Sequence, residues 1–222
     1  MSFIQTMIQY FRQDPGGALI YLLMSTVSIL TCLIVHEVAH GWVALKCGDP
    51  TAKWAGRLTL DPRKHLDPIG TICMLFLRIG WAKPVPINPN NFRNYRRDYI
   101  LVSLAGIAAN LLMFLTGSVI MVLLLKHATA SWIGYVIQFL RMFVQMNLSL
   151  AIFNLLPVPP LDGFRFLNQF VYKGRLQLTP QTMWIIQIIF LIVCFSGLLN
   201  GLLTTVISGV YNTVVPFLYR IL

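Results

Sequence analysis

TCLIVHEVAHGWVAL, residues 31–45, closes an apolar run that begins at residue 18 and yet carries two histidines and the chain's only glutamate, Glu37. The run exceeds the roughly 20 apolar residues that a helix needs to cross a bilayer. The surrounding chain favours the membrane reading: hydrophobic residues make up 57% and charged residues 11%, and the mean hydropathy of +0.71 is that of an integral membrane protein. The polar cluster therefore sits where hydrocarbon is expected.

Three further runs, 100–125, 131–156 and 183–210, are also long enough to span. A shorter one, 69–79, fits a re-entrant strand or loop. The tail YNTVVPFLYRIL is short, is broken by Pro216 and reads as interfacial. These segments predict an all-α membrane protein, a polytopic bundle of about four spanning helices, with a small re-entrant or edge β element between the first two. Pro84, Pro86 and Pro89 confine that element to an edge strand or an extended loop. Residues 1–17 are expected to form an interfacial segment, 18–172 the core, and 173–222 a C-terminal helix and tail.

The net charge of +10 raises the question of nucleic acid. The basic residues instead cluster between apolar runs, from Lys46 to Arg97 and again at Arg165, Lys173 and Arg175. That is the pattern of cytoplasmic loops, and it puts both termini outside. No CxxC spacing or disulfide framework occurs among the four cysteines.

Residues four apart share a helix face, so His36 and His40 can direct two ring nitrogens at one metal ion with Glu37 beside them. This is the HExxH pattern of zinc hydrolases. Without a metal, three ionisable groups at membrane depth cost about 2.5 kcal/mol or more each. Catalytic zinc takes three protein ligands and keeps one position open. A glutamate third ligand is excluded because the chain has no second glutamate. The longer HExxHxxGxxH form is excluded because Val43 and Lys46 occupy the places of its glycine and last histidine.

Asp61, Asp67 and Asp98 lie among basic residues and suit ion pairs, while Asp49 in CGDP suits a turn. Asp162, in the apolar segment NLLPVPPLDGF at the same predicted depth as the histidines, is a candidate ligand, with a cap or turn as its other role. His65 and Cys32 are rival ligands. The same cluster would also serve a membrane zinc transporter, although a translocation path needs further ligands along it.

Four stretches, HEVAHGWVALKCGDPTAKWAGRLTLDPRKHLDPIGT, GWAKPVPINPNNFRN, SLAGIAANLL and FNLLPVPPLDG, together resemble the site-2 protease family (peptidase family M50), in its small form without PDZ or CBS domains. Ile107 stands where many relatives have proline. The resemblance implies an intramembrane metalloprotease with one Zn2+ ion held by His36, His40 and Asp162, with Glu37 as the catalytic base and Asn154 at the active site. It also implies membrane-inserted strands around AKPVPIN, so that Trp81, Lys83, Pro84, Val85, Pro86 and Asn88 would dock an unwound substrate strand. The substrates implied are single-span membrane proteins or remnant signal peptides. The expected location is a bacterial inner membrane, with the site toward the cytoplasm and with the lipid bilayer, not nucleic acid, as surroundings.

Overall fold

The computed structural model describes residues 11–67, 70, 83–130 and 132–222. Helix α1, Pro15–Lys46, starts where the Asp14 side chain accepts the Gly17 N–H at 2.9 Å and Pro15 takes the first helical position. Both features are ordinary helix starts. At 32 residues it is about 48 Å long at 1.5 Å per residue, more than the roughly 30 Å hydrocarbon core. Among the described residues, two short helices follow, α2 (Thr51–Trp54) and α3 (Pro62–His65), and a 3-10 turn, Pro89–Asn91.

Helix α4, Tyr95–His127, begins at Asn94, whose side chain accepts the Arg97 N–H, while buried Asp98 accepts the Asn94 N–H and pairs with Arg97 at 2.9 Å. After it come α5 (Ile133–Asn154), α6 (Asp162–Phe170), α7 (Pro180–Ser196) and α8 (Leu198–Ile221). Helices α1, α4, α5 and α8 are long and apolar enough to cross a membrane. The protein is thus a helical, multi-pass membrane protein.

Two expectations need correction. The fourth span was expected over 183–210 with an interfacial tail, but Gly197 adopts a left-handed φ of 80° that ends α7 after 17 residues. The long helix is α8, and the tail with Pro216 belongs to it. Tertiary packing explains this: Ile207, Val210, Tyr211 and Val214 of α8 cover the core formed by Phe114, Val144 and Leu148 on α4 and α5. A proline is tolerated in a spanning helix whose neighbours support it.

The small β element is not supported. Most of run 69–79 lies outside the described residues, as do Trp81 and Ala82. The described part, 83–88, is extended but forms no sheet among the described residues. Its prolines have no N–H, and three of its amides are engaged elsewhere: Lys83 N–H donates to the His65 carbonyl, Val85 N–H to the Glu37 carboxylate, and Asn88 N–H to the Asp49 carboxylate.

Helices α1 and α4 run antiparallel, with His40 near the end of α1 bonded to Val102 near the start of α4. Helix α8 ends beside the end of α4, where the Lys126 ammonium lies 4.7 Å from the Tyr219 ring centre. Small residues allow close approach: a Cβ at Gly117 of α4 would meet Val144 of α5 at 2.9 Å.

Candidate metal centre

His36 and His40 lie one turn apart near the end of α1, on the face turned toward α4. Asp162 reaches the same point from the first turn of α6, where the positive end of the helix favours a carboxylate. Two contacts hold α6 there. Arg96, at the start of α4, donates to the carbonyls of Gln169 and Phe170 at the far end of α6. At the near end, Gly163 sits so tightly that a Cβ would fall 2.3 Å from the Leu155 carbonyl oxygen. The glycine of LDG is therefore required by backbone contact.

The three ligand atoms, His36 Nε2, His40 Nε2 and Asp162 Oδ2, are each 3.0 Å from the other two. All three residues are buried. Donors held about 2.0 to 2.1 Å from a tetrahedral zinc stand about 3.3 Å apart, so the triangle fits one face of such an ion. Among the described residues this is the group whose His, Cys, Asp or Glu ligand atoms converge in this way. His65 and Cys32, the rival ligands, are elsewhere: His65 Nε2 bonds the Thr59 carbonyl, and Cys32 contributes only its carbonyl to Asn110.

The outer ring nitrogens decide the tautomers. His40 Nδ1 is 2.7 Å from the Val102 carbonyl, which can only accept, so Nδ1 carries the proton. His36 Nδ1 is 2.7 Å from Asn110 Oδ1 and donates likewise. With both rings neutral, the Nε2 atoms are then unprotonated and present lone pairs to a carboxylate oxygen at 3.0 Å. Three acceptors pointing at one spot repel unless a cation lies between them, which is the fit expected of a metal site. The second carboxylate oxygen of Asp162 faces Arg165 at 3.8 Å. Gly106 of α4 makes room for the rings, since a Cβ there would meet His40 Nε2 at 2.4 Å and His36 Nε2 at 2.6 Å.

Glu37 is half-buried, and its Oε2 accepts the Val85 N–H at 2.8 Å. The Val85 side chain is buried against Gly41 one turn farther along α1. The segment is fastened at both sides. Arg57 donates to the Lys83 carbonyl at 2.5 Å, and buried Asp49 accepts from Asn88 N–H, Asn91 Nδ2 and Thr51. For Asp49, burial acts to raise the carboxyl pKa, but the hydrogen bonds from Thr51, Asn91 and Asn88 outweigh it and hold the group below its usual range. Lys83, Pro84 and Asn88 are exposed and Pro86 is half-buried.

Asn154 ends α5 and turns its Nδ2 to the Leu150 carbonyl of its own helix at 3.0 Å. Asp61 and Asp98 pair with Arg63 and Arg97 as expected. Sequence reasoning missed Asn110, Asn147 and the clamp function of Asp49. The cost argument that singled out HEVAH applies equally to asparagines inside SLAGIAANLL and VQMNLSL, and would have found the first two.

A model of peptidase family M50 matches residues 115–197, a stretch that includes Asn154 and Asp162 but not the histidines. The chain is 41% identical over 167 residues to a Bacillus subtilis protein named Putative zinc metalloprotease YwhC, a match that covers 74% of this chain and 75% of that protein. It is 31% identical over 210 residues to Putative zinc metalloprotease Rip2 of Mycobacterium tuberculosis, covering 84% of this chain and 77% of the relative. The Mycolicibacterium smegmatis protein of the same name is 28% identical over 192 residues. No solved structure matches.

Proposed function

The chain belongs to peptidase family M50, the site-2 protease family, and is a zinc metallopeptidase; from that premise we propose that it cuts peptide bonds in or beside membrane-spanning segments. The substrates on this reading are single-span membrane proteins or remnant signal peptides. The observation that carries it is the convergence of His36, His40 and Asp162 at the end of a helix long and apolar enough to span, with Glu37 next in sequence to the first ligand.

His36, His40 and Asp162 would hold one zinc ion. When bound there, zinc would polarise the scissile carbonyl and lower the pKa of water to about 7. The chain's own groups do the rest. Glu37 takes the proton from the attacking water and returns it to the leaving amine. The Val85 N–H fixes one carboxylate oxygen, which leaves the other for that proton. Asn154 now donates to the Leu150 carbonyl; released from that bond, it would serve on this reading as an oxyanion donor and contribute about 3 kcal/mol.

A helical substrate has no free backbone groups, so the bond must first be unwound. The segment containing Trp81, Lys83, Pro84, Val85, Pro86 and Asn88 is the docking site on this reading. What supports it is the extended backbone of 83–88 and its direct contact with Glu37. On this reading the site faces the cytoplasm of a bacterial inner membrane; the basic residues that follow Lys46 support the orientation and the bacterial relatives support the membrane.

The test is cleavage of a single-span reporter by purified protein in proteoliposomes. Glu37→Gln is expected to abolish cleavage and to retain zinc at one ion per chain. Unchanged cleavage by that variant would overturn the reading.

A further inference from the structure

Two asparagines lie fully buried in different long helices, Asn110 in α4 and Asn147 in α5. An amide buried without partners costs several kcal/mol, and here every link is made. Asn147 Nδ2 donates to the Phe143 carbonyl at 2.9 Å, Asn110 Nδ2 donates to Asn147 Oδ1 at 3.1 Å, and His36 Nδ1 donates to Asn110 Oδ1 at 2.7 Å. Asn110 Nδ2 also reaches the Cys32 carbonyl at 3.4 Å.

The direction of this chain is not arbitrary. The Phe143 carbonyl can only accept, so Asn147 must turn its NH2 toward it and its oxygen toward Asn110. Asn110 must then present its NH2 to Asn147, and the Cys32 carbonyl demands the same orientation. Its oxygen is left facing His36, whose neutral ring then carries its proton on Nδ1 and keeps Nε2 free. Were either amide turned over, Asn110 would offer an N–H to His36 Nδ1 and favour the tautomer with its proton on Nε2, which cannot bind a metal.

We infer that Asn110 and Asn147 are a positioning pair, in which Asn147, whose hydrogen bonds go to Phe143 and Asn110, orients Asn110 so that His36 is held in the metal-binding tautomer. Neither is a catalytic residue. The inference rests on the metal site proposed above. It adds a remote control of that site from α5, a helix that contributes no ligand.

The test uses the full chain in detergent, with zinc affinity measured by chelator competition and the His36 tautomer read by nitrogen-15 NMR of the metal-free protein. Asn147→Leu is expected to weaken zinc binding about 10- to 100-fold, the usual effect of losing such a partner, and to populate the Nε2–H tautomer. In an Asn110→Asp background the two carboxylate oxygens are equivalent acceptors, so there is no amide to orient. There Asn147→Leu is expected to change zinc affinity less than about twofold, because the carboxylate accepts from Nδ1 either way.

Equal losses in both backgrounds, or unfolding of both Asn147→Leu proteins, would show a purely structural role and overturn the inference. So would an Asn147→Leu protein with zinc affinity and tautomer unchanged. A wild-type chain that binds no zinc overturns the metal site itself. Wild-type binding with indifferent variants overturns only the positioning pair.

Discussion

The backbone N–H of Val85 donates to the carboxylate of Glu37 at 2.8 Å, which joins the extended proline segment to the proposed catalytic base across 48 positions of sequence. Val85 lies between two prolines and is already extended, so replacing it with proline removes the N–H at little conformational cost. Val85→Pro is expected to lower kcat at least tenfold, while Val85→Ala, which keeps the donor, stays within about threefold of wild type despite losing buried methyl groups. Reporter cleavage at saturating substrate separates the two. Equal rates would show that the contact does not matter to the base.

Gly106 and Gly163 both lie where a methyl group has no room, one against the ligand rings and the other against the Leu155 carbonyl. Overpacking of this kind costs about 1 to 3 kcal/mol. Gly106→Ala and Gly163→Ala are each expected to raise the zinc Kd tenfold or more. Gly209→Ala is the control: nothing lies within 4 Å of its Cβ position in α8, and alanine is expected to gain about 0.5 to 1 kcal/mol from helix propensity. Zinc content after dialysis and Tm check all three.

Asp49 fastens the proline segment through Asn88 and Asn91. Because its carboxyl is held below the usual range, the stabilisation is fully present above its unfolded pKa of about 4 and is lost as pH falls through the lower folded value. Asp49→Asn puts an NH2 where acceptors are needed and is expected to cost about 1 to 3 kcal/mol. Hydrogen exchange at the Asn88 and Arg93 amides should accelerate in this variant at pH 7, and in the wild type only in acid.

Removing zinc with a chelator would leave the two neutral rings and the carboxylate facing one another with no cation between them. Tm is expected to fall, and to recover on adding zinc, by an amount set by RT ln(1 + [Zn]/Kd). Asp162→Asn should lose most of this zinc-dependent shift, and Glu37→Gln should keep it. A shift of equal size in Asp162→Asn would remove that residue from the ligand set.

Most of the fold was legible because a spanning helix announces itself by length and apolarity. The first three spans fall close to the expected places. The fourth did not, since an unbroken apolar run over 183–210 looks the same whether or not Gly197 takes a left-handed φ. That choice belongs to the packing of Ile207, Val210 and Tyr211 on α4 and α5. The β element failed for a similar reason: alternating prolines specify an extended backbone but not the partners of its free amides. Those partners turned out to be Glu37 and Asp49.

For the candidate site, the spacing of His36 and His40 and the lone glutamate were enough to propose a metal and a base, because helix geometry is local. The candidate third ligand could not follow from spacing, since Asp162 lies 122 positions from His40 and meets it only once α6 is docked by Arg96 and Gly163. Nor could the tautomers, which depend on carbonyls and amides of α4 and α5. The sequence by itself determined a membrane helix bundle with HExxH in its first span. The tertiary structure decided what HExxH faces, because lone pairs, amide orientations and steric room are set by atoms brought together from distant parts of the chain.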